Sequence, residues 1–121
     1  MAYGEVLARN VRGTRGRKGL GQNSLAARMR ALGFSSWFTQ TVGKAERGER
    51  RITAEEVLGL AYALETTVRA LLQPADDYRS MVALPSGSQL AARSVMATVR
   101  GIADGAIYWL DDDTPAFRGM S

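Results

Sequence analysis

With 121 residues the chain has room for one modest core and little beyond it. It contains no cysteine and no histidine, which excludes a disulfide scaffold, a zinc finger, a thiol nucleophile and the side chain most often used for proton transfer near neutral pH. The formal net charge of +4 is unevenly spread, with eleven Arg or Lys against two Glu between Arg9 and Arg51, a concentration that suits either a polyanion partner or an ordinary solvated face.

The opening residues lack the basic-then-apolar layout of a secretory leader, and no apolar run approaches the ~20 residues of a membrane helix, so a cytoplasmic protein with no membrane partner is expected. The first periodic stretch, about Gly4 to Lys18, places Leu7, Val11 and the stem of Arg15 on one helical face and ends at Gly19. A second helix, about Gln22 to Leu32, buries Leu25, Ala26 and Met29 and ends at Gly33. Ser35 or Ser36 can cap a third helix with Phe38, Val42 and Ala45 inward and Thr39, Gln40, Thr41 and Lys44 outward. Thr53 and Glu56 form an S/T-x-x-E capping box for a fourth helix, whose inward residues are Val57, Leu60, Ala61 and Leu64. A fifth spans Val68 to Leu72 and stops before Pro74.

Residues 75–87 shift to Asp, Ser, Pro and Gly and read as a linker between a first unit, 1–74, and a C-terminal unit, 88–121. Ser86 or Ser88 then caps a last helix to roughly Leu110. In it Ala92, Val95, Val99, Ile102, Ala106 and Trp109 recur in steps of three and four. That seam suits homodimerisation, and folding back onto the preceding helices is the other way to cover it. Asp111, Asp112 and Asp113 are adjacent in the chain and cannot converge on one ion from a helix end, so no metal and no cofactor is expected.

The ordered set of Leu20-Gly21-Gln22 before Leu25-Ala26, then Thr41-Val42-Gly43-Lys44-Ala45-Glu46-Arg47-Gly48, then Leu60-Ala61 and Leu64, resembles the XRE family of lambda-type repressor and Cro helix-turn-helix proteins over about residues 4–73. The resemblance implies an all-α fold, a five-helix repressor-like domain followed by a C-terminal helix, with the third helix in the major groove of double-stranded DNA. It implies that Gln22 meets a phosphate or a base edge and that Thr39, Gln40, Thr41 and Lys44 face the groove. Amide, ammonium and methyl groups can each read a base there. Asn23, Ser36, Arg47, Arg50 and Arg51 are placed for phosphates, which set register without reading sequence. Arg15 and Glu46 fall where the family pairs the first helix with the end of the recognition helix, and are expected to form a partly buried structural ion pair.

The interval from Gly33 to Glu46 is longer than the commonest family spacing, and the added residues include Trp37, expected to pack under the enlarged turn. Ala45 is smaller than the usual Ile or Leu, and Gly43 lies inside the recognition helix. The function that follows from the resemblance is a sequence-specific transcriptional regulator, a dimeric repressor on an inverted-repeat operator. An antitoxin or adaptor with secondary or no DNA binding is the second reading. Without His, Cys, paired carboxylates or a phosphate-cradling glycine loop, no enzyme is expected.

Overall fold

The computed structural model describes residues 3–74, 81–84 and 89–100. Five helices run through the first of these stretches: α1 (Tyr3–Arg17), α2 (Gln22–Ala31), α3 (Thr39–Glu46), α4 (Ala54–Ala63) and α5 (Val68–Leu72). Glycines in the left-handed region close the first three, Gly19 at φ 69°, Gly33 at 101° and Gly48 at 73°. Only a residue without Cβ adopts that conformation at little cost. Each reversal returns an amide to the last helical turn, as Phe34 does to the Met29 carbonyl at 3.1 Å and Glu49 to that of Lys44 at 2.9 Å.

The predicted capping box starts α4. Thr53 Oγ1 accepts the Glu56 amide at 3.2 Å while Glu56 Oε1 accepts the Thr53 amide at 2.8 Å, so two orphan donors of the first turn are satisfied. Thr67 caps α5 in the same manner through the Ala70 amide at 3.0 Å. The far end of α5 is closed from α1: Asn10 Nδ2 donates to the carbonyls of Leu71 and Gln73 at 2.8 and 2.7 Å, and the Tyr3 hydroxyl to that of Leu72 at 2.6 Å.

The apolar faces of these helices meet in one core in which Val11, Leu25, Met29, Trp37, Val42, Leu60, Leu64 and Leu71 are fully buried. Phe34 leans on that core from the α2–α3 turn and lies over Gly59 of α4 so closely that a Cβ there would stand 2.4 Å from its Cε2. Gly59 is thus the contact that lets an aromatic ring approach α4.

Two expectations for the C-terminal part are corrected. Residues 75–87 were expected to form a linker, but within them β1 (Met81–Ala83) pairs antiparallel with β2 (Gln89–Ala91), Val82 opposite Leu90. The last helix, α6 (Ala92–Arg100), therefore starts at Ala92 instead of 88, because the three residues before it belong to the hairpin. Its apolar face is also used within the chain. Ala92 is buried, Val95 packs with Val6 and Val82, and Val99, Leu90 and Tyr3 border that second cluster. Ile102, Ala106 and Trp109 lie outside the described residues. Among the described residues no helix is long and apolar enough to cross a membrane.

Candidate nucleic-acid interface

Helices α2 and α3 pack on each other across the turn from Gly33 to Phe38, and α3 also rests on α1. The buried side of α3 consists of Val42, Gly43, Ala45 and Glu46. Thr39, Gln40 and Lys44 are exposed on the other side. Gln40 and Lys44 are one turn apart, so both side chains address the same strip of space. Thr39 and Gln40 make no side-chain hydrogen bond among the described residues.

Glu46 anchors this helix from its C-terminal end. Its carboxylate is 3 % exposed and receives Arg15 through two bonds, Nε to Oε2 at 2.5 Å and Nη2 to Oε1 at 3.0 Å. Arg15 Nη1 also donates to the Leu20 carbonyl at 2.8 Å, tying the α1–α2 turn to the same pair. A bidentate, charge-assisted contact of this kind fixes direction as well as distance. Gln22 joins it, Nε2 donating to Glu46 Oε1 at 3.1 Å. The Gln22 side chain is thus oriented from behind, half-buried at the first turn of α2. Gly43 forms the floor between Gln22 and Arg47, where a Cβ would stand 3.1 Å from Arg47 Nη1.

The enlarged turn is held by a second set of contacts. Trp37 is completely buried and its Nε1 donates to Glu56 Oε2 at 2.6 Å. Arg50 donates to both oxygens of Glu56, at 3.0 and 2.8 Å, and its guanidinium lies 4.8 Å from the Trp37 ring centre. Burial by itself would push the Glu56 carboxyl up. Arg50, the Thr53 amide and Trp37 outweigh it and bring the group down to about 2. Arg50 was expected at a phosphate, but its guanidinium is committed to Glu56 and Trp37.

Two more expectations on α3 change. The N-cap is Phe38, not Ser35 or Ser36, and Phe38 does not turn inward but is 52 % exposed, while Trp37 packs under the turn as expected. Thr41 is half-buried, its hydroxyl accepting the Phe38 amide at 3.1 Å and donating to the Ser36 carbonyl at 3.0 Å. That hydroxyl closes the first turn of the helix, a local role that competes with any outward contact. Ser36, Asn23, Arg47 and Arg51 are exposed, with Arg47 in a surface ion pair to Glu49 at 3.2 Å. No sequence motif marks Arg30. It donates Nη1 to the Trp37 carbonyl at 2.7 Å and lies 5.1 Å from the Phe38 ring centre.

Two helices packed across a turn, the second with a polar outer face and a buried inner one, define a helix-turn-helix fold. No protein-family model and no curated protein sequence matches the chain. Among solved structures, the chain is similar to the restriction-modification controller protein C.AhdI from Aeromonas hydrophila. That likeness has 31% identity over 56% of this chain and 94% of the other, with a TM-score of 0.49. It is also similar to the DNA-binding domain of BldD, with 27% identity over 58% of this chain and 93% of that one, and a TM-score of 0.48.

Proposed function

We propose that the chain is a cytoplasmic transcriptional regulator that binds specific double-stranded DNA, a repressor acting as a homodimer on an inverted-repeat operator. The observation that carries this reading is the outer face of α3: Thr39, Gln40 and Lys44 project together from a helix whose opposite side is locked to the core by Arg15 and Glu46. An amide can pair bidentately with adenine, an ammonium can donate to guanine O6 and N7, and both reach the same groove edge. Around them, Asn23, Ser36, Arg47 and Arg51 supply exposed groups for phosphates. No side chain caps α2 at Gly21, and an uncapped helix start suits a phosphate oxygen.

Dimerisation rests on apolar surface. Leu58 and Tyr62, one turn apart on α4, are 65% and 76% exposed, and Leu32 beside Tyr62 is 42% exposed. These residues, and separately Ile102, Ala106 and Trp109 of the sequence seam, are candidates for the two-fold contact that symmetric operators require.

Random-site selection on duplex DNA, followed by binding at several salt concentrations, tests the reading. Gln40→Ala or Lys44→Ala should weaken binding to the selected site by about 1–3 kcal/mol and relax the preference at one base pair. Arg51→Ala should weaken all duplexes alike and reduce the salt slope by about one. Half-site centres should lie about 34 Å apart. An unchanged motif and affinity in both α3 variants would defeat the assignment of α3 to the groove.

A further inference from the structure

We propose that Phe38 is a base-reading residue, its ring packing against the 5-methyl group of a thymine at the N-terminal edge of α3. The inference rests on the placement of α3 in the major groove.

A single exposed apolar side chain is ordinary on a protein surface, so exposure alone argues nothing. What sets Phe38 apart is how it is held and what stands beside it. Its amide is bound by Thr41 Oγ1 at 3.1 Å. The peptide before it is clasped by Arg30 Nη1 on the Trp37 carbonyl at 2.7 Å. The same Arg30 guanidinium lies 5.1 Å from the centre of its ring. Both bonds hold the one peptide before the ring, the Val42 amide donates to the Phe38 carbonyl after it at 3.1 Å, and a cation supports the ring in place. Thr39 and Gln40, the first residues of α3, follow it directly and are exposed.

The thymine methyl is the apolar group that the major groove presents, and aromatic or aliphatic side chains are its natural partners. A pre-ordered ring loses little freedom on making that contact, which favours affinity. Arg30 adds a positive charge at the point where the ring meets the duplex, so one unit joins an apolar contact to a charge suited to the adjoining phosphate.

The test compares thymine with deoxyuridine, which lacks only the methyl group. In the duplex selected by the full chain, each thymine is replaced in turn by dU. At one thymine of each half-site the replacement should weaken the wild-type chain about fourfold, the factor expected for one buried methyl group. Phe38→Ala should bind the thymine duplex more weakly and make no distinction at that position. Phe38→Leu, which keeps an apolar contact, should retain part of the distinction, and thermal melts of both variants confirm that they are folded. If the wild-type chain is indifferent to dU at every thymine, or Phe38→Ala is as sensitive as wild type, Phe38 does not read the methyl group although the DNA reading stands. If no sequence is selected at all, the DNA reading fails and this inference fails with it.

Discussion

Gly59 sits in the middle of α4, where two effects of a methyl group oppose each other. Helix propensity alone favours Ala over Gly by up to ~1 kcal/mol. Against that, the added Cβ would stand 2.4 Å from Phe34 Cε2 and 3.0 Å from its Cζ, and forcing a packed ring aside typically costs about 1–3 kcal/mol. The clash should win. Gly59→Ala is expected to lower the melting temperature by several degrees, and adding Phe34→Leu should recover part of the loss. A higher melting temperature in the single variant would show that Phe34 yields without resistance. The neighbouring aromatics show where residue-level reading of the sequence stops. Trp37 and Phe38 are adjacent and both read as inward, Trp37 correctly, but the side that Phe38 takes depends on where α3 begins. With the helix starting at Thr39, Val42 and Ala45 remain inward, but Trp37 precedes the helix and drops under the turn. An amphipathic pattern cannot resolve a displacement of one residue at a helix start.

The α3–α4 connection shows how one carboxylate can organise an element boundary. Glu56 caps its own helix, receives Trp37 from the enlarged turn and holds Arg50. Because the folded-state value is depressed to about 2 from an ordinary 4.5, its contribution is fully present above the unfolded value and is lost as pH falls through the folded one. Stability should therefore drop between about pH 4.5 and 2, and Glu56→Gln should flatten that part of the melting-temperature profile. An unchanged acid limb in Glu56→Gln would assign the loss to other carboxylates. The helices themselves were readable because their punctuation is local: Gly19, Gly33 and Gly48 after the last turns, Thr53 with Glu56 at a first turn. The hairpin was not. Three-residue strands carry too little alternation to register, and Met81–Ala83 finds its partner only across the intervening Pro-Ser-Gly-Ser segment. Arg30 and Arg50 were likewise opaque, since their roles depend on aromatics that come close only in the folded chain.

At the level of the molecule, α1 is shared by two apolar clusters of unequal size. Leu7 and Val11 belong to the large one built with α2 to α5, whereas Val6 belongs to the small one with Val82 and Val95. Burial scales with the number of apolar groups removed from water, so the two should open separately. Hydrogen exchange should find the hairpin and α6 amides exchanging well before those of α2 and α4. Equal protection throughout would mean that the small cluster opens only when the whole chain unfolds. The large cluster lies within 7–72, whereas Tyr3 and Val6 join the small one with residues beyond 80. The fold-back of α6 was legible only as one of two ways to cover the same apolar stripe.

The bonds from α1 to the end of α5 span 61, 63 and 69 residues. During synthesis, α1 therefore emerges before the other helices of its core and waits for α5 roughly 3–14 s at about 5–20 residues per second. Over that interval Leu7 and Val11 have no α5 to rest against. Meanwhile α2, α3 and α4 can begin to assemble from near neighbours as they emerge. Translation speed from the end of α1 through α5 thus sets how long Leu7 and Val11 stay without α5, and Val6 waits longer still for Val82 and Val95.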